Sequence, residues 1–180
     1  MLTPEQQATE EAYRTARTTG AYDQIWQTVG RCVFCNHDET EKHHEIYEED
    51  GVYMTVPAYA YIDGHILVIP RRHIRSVKEL TPGEWETMRK LFYLAKKMIR
   101  EVYGVKGMQI VQKDGVAAQS TVEHIHFHCV PFDQPDLSQW NYRELSNTPA
   151  ENAAKYHERI ETVQKLAKRF AKKYQDDDGR

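Results

Sequence analysis

Between Thr81 and Tyr103 the apolar residues Trp85, Met88, Leu91, Phe92, Ala95, Met98, Ile99 and Val102 recur every three or four positions, the spacing of one helical face. Thr81 precedes them as an N-cap, Pro82 stands just inside, Glu84 takes the capping-box position and Gly104 follows as a stop. These signals predict a helix over 81–103. Elsewhere the period is that of strands. Glu45 to Tyr47 and Val52 to Val56 flank an acidic turn ending in Asp50-Gly51, which predicts an antiparallel hairpin. Residues 65–69 (HILVI) are a short, β-branched run stopped by Pro70 and read as a buried central strand. Residues 107–112 and 122–130 predict two further strands around a small-residue loop, Asp114 to Thr121. Hairpin, strand, long helix, hairpin is the order of an α+β domain: an antiparallel sheet crossed by one main helix.

Two helical segments flank this pattern. Thr3 and Pro4 open a predicted helix over 4–18, whose face of Ala8, Tyr13 and Ala16 is only weakly apolar and implies loose packing on the domain or on a neighbouring subunit. Pro149 opens another over 149–174, with Tyr156, Ile160, Val163, Leu166 and Phe170 on one side and a polar tail after it.

A chain of 180 residues suits one packed core. It has no run of eighteen apolar residues, and its first twenty residues are polar and acid-rich, unlike a signal peptide; the expectation is a cytoplasmic protein without a membrane span. A net charge of -3 gives duplex nucleic acid no attraction to the bulk of the molecule, so any phosphate must be met locally. Three cysteines are too few for a disulfide framework, and the Cys32-x-x-Cys35 spacing suits a metal corner or a redox pair. No thioredoxin-like βαβ pattern surrounds that pair.

The histidines carry the chemistry. His124, His126 and His128 alternate with Ile125, Phe127 and Cys129, so a strand there lines three imidazoles about 7 Å apart along one face and leaves the other apolar. A single strand histidine is ordinarily a satisfied, half-buried residue. Three in register are costly to bury without metal, anion or catalytic work. Neutral imidazole serves as nucleophile or metal ligand, and imidazolium as donor and acid.

The run H-I-H-F-H-C-V-P at 124–131 resembles the signature of the histidine triad (HIT) superfamily of nucleotide hydrolases and transferases. Gly64 to His73 (GHILVIPRRH) and Ala118-Gln119-Ser120 resemble the family's strand with its basic dipeptide and its small-Gln-Ser loop, and the likeness covers roughly Arg31 to Phe132. The resemblance implies a five-stranded antiparallel sheet with the long helix, a HIT domain over 31–132 between extensions 1–30 and 133–180, and a homodimer. It implies that His126 attacks the α-phosphorus of a nucleoside phosphoester, such as a dinucleoside polyphosphate or a phosphoramidate, to form a covalent nucleotidyl-histidine. His128 then donates to a phosphate oxygen, while Gln119, Ser120 and Gln112 hold the phosphate or the leaving group. Water, inorganic phosphate or a second phosphoester takes the nucleotide in a hydrolase, phosphorylase or transferase.

Relatives of this kind bind structural zinc through positions that here are Cys32, Cys35, His73 and His124; such a Cys₂His₂ set closes a tetrahedral ion and staples rather than catalyses. His43 and His44 lie nearer the cysteines but are read as exposed loop residues, His37 and His157 are read as surface residues, and His65 as structural. Pro57 stands where the family commonly has Asp or Asn for the ribose hydroxyls and offers no side-chain acceptor, so the resemblance leaves room for a different nucleoside grip or a different leaving group. Gln112 takes the place of an asparagine with one added methylene, and the loop before His124 is one residue longer, consistent with a bulge at Thr121. Tyr59 and Tyr61 suit stacking on a base or ordinary packing. Arg71 and Arg72 suit either screening of polyphosphate charge or a solvated basic pair. Beside the enzyme that the resemblance implies stand two other function classes: a nucleotide-binding regulatory module that has lost turnover, which Pro57 would permit, and a zinc-dependent interaction scaffold, for which the row of histidines would be superfluous.

Overall fold

The computed structural model describes residues 3–19, 32–35, 42–118, 120, 122–132 and 160–161. The first helix, α1 (Pro4–Thr19), starts from a reciprocal cap in which Thr3 and Gln6 each accept the other's backbone N–H. The strands β1 (Glu45–Glu49) and β2 (Val52–Thr55) form the expected hairpin, with Asp50 at φ 47° and Gly51 at φ 73° in its turn. That left-handed pair is what Asp-Gly tolerates at low cost. Next come β3 (Ile66–Pro70), α2 (Pro82–Tyr103), β4 (Met108–Gln112) and β5 (Phe127–Pro131). All pairings are antiparallel, in the order β1-β2-β3-β5-β4. The α+β architecture is therefore the one the periodicity implies.

Helix α2 has both of its expected ends. The Thr81 side chain accepts from the Glu84 N–H, Glu84 accepts from the Thr81 N–H, and Gly104 closes the helix at φ 72°. Its buried stripe of Met88, Leu91, Ala95 and Ile99 packs on Val52, Met54, Ile66, Val68, Phe127 and Cys129 of the sheet. The other sheet face has a smaller cluster, Tyr53, Leu67 and Ile69, covered in part by Phe34. Because both faces of β3 are covered, its sequence is apolar without alternation. Gly64 lies just before β3 at φ 82°, where an added Cβ would meet the Tyr103 ring at 2.8 Å, so conformation and space both require glycine there.

Of the boundaries that differ from expectation, three bear on the site. Pro70 joins β3, which is tolerated because it pairs with Val52 at the strand's last position. His65 precedes β3. The last strand starts at Phe127, five residues later than the pattern implies, because the approach to it bonds elsewhere: the Ile125 N–H donates to the Ile74 carbonyl at 2.7 Å. His124 and His126 therefore sit on an irregular approach to β5, and only His128 lies in the ladder.

The chain divides into two compact units, residues 1–133 and 134–180. Of the second, Ile160 and Glu161 are described and are helical; the rest of the helix expected over 149–174 lies outside the described residues. No helix among the described residues is long and apolar enough to cross a membrane.

Candidate active site and metal centre

Cys32 and Cys35 stand on a short turn, His73 follows β3, and His124 precedes β5; their ligand atoms all lie within 4.8 Å of one another. The Cys35 Sγ is 3.1 Å from His73 Nδ1 and 3.4 Å from His124 Nδ1, and the Cys32 Sγ is 3.5 Å from His124 Nδ1. Zinc–sulfur and zinc–nitrogen bonds of ordinary length imply tetrahedral edges of about 3.3–3.8 Å, close to this spread. The tautomer agrees. His124 Nε2 donates to the Pro70 carbonyl at 2.8 Å, so the Nδ1 of a neutral ring turns its lone pair toward both sulfurs. Burial, more than any other cause, holds the His124 imidazole below its ordinary pKa and so in the ligating form. Burial and the adjacent Cys32 push the Cys35 thiol up, an effect a bound cation reverses. These four residues form a possible metal site whose donor set fits zinc.

His126 is held two residues further on. Its Nδ1–H donates to the backbone carbonyl of His124 at 2.8 Å, which assigns the lone pair to Nε2. Burial holds its pKa below the ordinary imidazole value, opposed by that hydrogen bond and assisted by the charge of Lys113. Phe34, from the cysteine turn, lies edge-on to His126 with ring centroids 5.0 Å apart. Thus one residue, His124, presents its ring to the metal cluster and its carbonyl to His126.

His128 belongs to a second relay. The Tyr61 N–H donates to His65 Nδ1 at 3.1 Å, so the proton of a neutral His65 is on Nε2, which lies 3.0 Å from His128 Nδ1. His128 Nδ1 must then accept, leaving its own proton on Nε2. The Tyr61 ring stacks on His128 at 5.0 Å and 17°, and the rings of His126 and His128 are 4.9 Å apart. One histidine offers a lone pair and its neighbour a donor, which is the division of labour that attack on a phosphoryl group needs.

A cavity of about 210 Å³ opens beside His126, lined among others by Ser120, Gln112, Lys113 and Arg75. Ser120, an expected contact, lies there with its hydroxyl donating to the Val122 carbonyl. Gln112 also lines the cavity; it pairs with Phe127 at the end of the β4–β5 ladder, and its amide donates to the Lys113 carbonyl. Gln119 and Thr121 lie outside the described residues, as do His37, His157 and the side chain of His43.

Several expectations are corrected. His44 is not an exposed loop residue: it is half-buried, in a single 3₁₀ turn, and its Nε2 meets a Glu10 carboxylate oxygen at 2.7 Å. Arg71 is held in ion pairs rather than standing as a solvated basic residue. It forks onto Glu45 and Glu48 and stacks on Tyr53 at 3.8 Å, bracing β1 against β3. Arg72 is bound to Glu84 at the start of α2. Tyr61 stacks on the site's own histidines, and Tyr59 meets Tyr13 of α1 edge-on. The partnership of His65 with His128 was missed at the level of sequence, although strand parity held the signal: Leu67 pairs with His128, so the residue two before it belongs to the same face.

A family model described as the HIT domain matches residues 39–135. Over 97 residues the chain is 33% identical to the bis(5'-nucleosyl)-tetraphosphatase [asymmetrical] of Schizosaccharomyces pombe, covering 53% of this chain and 53% of that protein. The chain thus spans about half the length of that relative. It is 31% identical over 113 residues to an uncharacterised HIT-like protein of Saccharolobus solfataricus, covering 59% of this chain and 78% of the other. The fold is that of a HIT family protein from Bacillus anthracis: TM-score 0.55, 21% identity, 81% of this chain and 99% of that one covered.

Proposed function

This chain belongs to the HIT domain family, and from that premise we propose that it is a nucleotide hydrolase or nucleotidyl transferase acting at the α-phosphorus of a nucleoside phosphoester. Dinucleoside polyphosphates and nucleoside phosphoramidates are the substrate classes, in keeping with the tetraphosphatase name of its fission-yeast relative. The observation that carries the reading is the Nδ1–H bond from His126 to the His124 carbonyl, which leaves Nε2 as a nucleophile in a residue lining the cavity.

The steps are these. His126 Nε2 attacks the α-phosphorus, the bond to the leaving oxygen or nitrogen breaks, and that atom departs with the electron pair. His128 Nε2–H and the Ser120 hydroxyl donate to phosphoryl oxygens as charge gathers on them. Gln119 holds the leaving group in its family role, and Gln112 lends its amide at the cavity wall. Water then attacks the nucleotidyl-histidine, loses a proton, and releases a nucleoside monophosphate with His126 restored. In a phosphorylase or transferase, phosphate or a second phosphoester takes the place of water.

Cys32, Cys35, His73 and His124 are the proposed ligands of a structural zinc, which would fix the cysteine turn and the segment before His126 without an open coordination position. The working form is proposed to be a cytoplasmic homodimer. Ile110 on edge strand β4, and Val102 and Tyr103 at the end of α2, leave apolar surface exposed for a second copy. The test is a panel of adenosine and guanosine dinucleotides and phosphoramidates, with and without inorganic phosphate, read by product mass. Turnover by the wild type and its loss in a folded His126→Ala variant support the reading. Tight nucleotide binding with no product over hours would leave a binding module instead.

A further inference from the structure

Two cations line the cavity beside His126, and they are held differently. Arg75 is tied to Glu123 at 3.1 Å, at an exposed rim. Lys113 makes no ion pair with a carboxylate among the described residues; its ammonium rests 5.1 Å from the centroid of the Tyr61 ring, whose plane in turn stacks on His128. The end of the sheet places it. The β4–β5 ladder closes at the Gln112–Phe127 pair, and Lys113 and His126, the next residue on each side, both line the cavity. Gln112 pairs with Phe127, which packs among the core residues beneath α2.

We propose that Lys113 is a specificity-determining residue of this site: its ammonium contacts the phosphates of the leaving group, favouring substrates whose leaving group is itself a polyphosphate over those whose leaving group is uncharged. Asp114 and Glu123 also line the cavity, so the contact is local rather than a broad positive field, and a compact, flexible cation suits it. The inference rests on the reaction proposed above and names its substrate preference.

The experiment measures kcat/KM for a dinucleoside tetraphosphate and for a nucleoside phosphoramidate with an uncharged amine, in wild type, Lys113→Met and Lys113→Arg, each checked for unchanged thermal unfolding. The ratio of the two values, polyphosphate over phosphoramidate, is expected to fall about 10–100-fold in Lys113→Met, the range of one charge-assisted contact, and to recover in Lys113→Arg. An unchanged ratio in Lys113→Met, with turnover intact or lowered equally on both substrates, overturns the role of Lys113 alone. A wild-type protein inert on both substrates overturns the proposed reaction and this inference with it.

Discussion

Replacing His65 with leucine removes the middle of the chain that runs from the Tyr61 N–H to His128. His65 is 1% exposed, so water cannot take over its bonds, and each buried bond lost costs about 1–3 kcal/mol. For the two bonds together stability falls by about 2–6 kcal/mol, which urea unfolding reads directly. The rate is the more specific readout. Without a donor at Nδ1, the His128 ring is free to carry its proton there, and the Nε2–H proposed to donate to phosphate is lost. A hydrogen bond to a charged group is worth about 1.5–3 kcal/mol, which corresponds to about a 10–150-fold lower kcat if it forms chiefly in the transition state. Glutamine at position 65 retains both functions, since its oxygen accepts from Tyr61 and its nitrogen donates to His128; most of the rate is expected to return in His65→Gln. Nitrogen-15 NMR of His128 reports which ring nitrogen is protonated. A folded His65→Leu protein with wild-type kcat, or a His65→Gln protein no faster than His65→Leu, refutes the relay.

Other consequences follow from neighbouring features. Purified protein is expected to carry one zinc ion per chain by elemental analysis, and Cys35→Ser to lose both metal and kcat, because the cysteine turn supplies Phe34 beside His126 and the proposed ligand His124 supplies its carbonyl; a metal-free protein of full activity contradicts the proposed staple. Leu91→Ala, at a position with no exposed surface in the main core, is expected to cost about 2–5 kcal/mol by denaturant unfolding, without altering kcat in the folded fraction. For Glu84, burial raises the carboxyl pKa, but the bonds from Arg72 and Thr81 prevail and hold it below its ordinary value of 4.5. The unfolded chain then binds that proton more readily, so the stabilisation is complete above the ordinary value and is lost as pH falls through the lower folded one. Glu84→Gln is expected to flatten the acid side of the stability profile, and an unchanged slope refutes the assignment.

Much of this arrangement is legible in the sequence because it is set by local chemistry. Helix α2 announces both ends through Thr81, Pro82, Glu84 and Gly104, and the β1–β2 turn through Asp50-Gly51. The possible metal site is legible only through family likeness, since His73 and His124 are far in sequence from Cys32 and Cys35, and spacing alone left His43 and His44 as rivals. What pattern could not supply was the register at the start of β5. Alternation of His and apolar residues reads as a continuous strand, yet the Ile125 N–H bonds Ile74, and a strand edge released in that way lets the His126 ring turn back onto the His124 carbonyl. Nor do Arg71 and Arg72 look different from substrate-binding arginines until the carboxylates that hold them, Glu45, Glu48 and Glu84, are brought in from distant elements.

The central claim concerns the nitrogen of His126 left open by the hydrogen bond of the other to the His124 carbonyl. Rapid acid-free quenching of the protein during turnover of a dinucleoside polyphosphate, followed by intact-mass and peptide mass spectrometry, reads it most directly. The expected result is a nucleoside monophosphate adduct mapped to His126 and absent from His126→Ala. An adduct on another residue, or steady turnover with His126 never modified and dispensable, contradicts it.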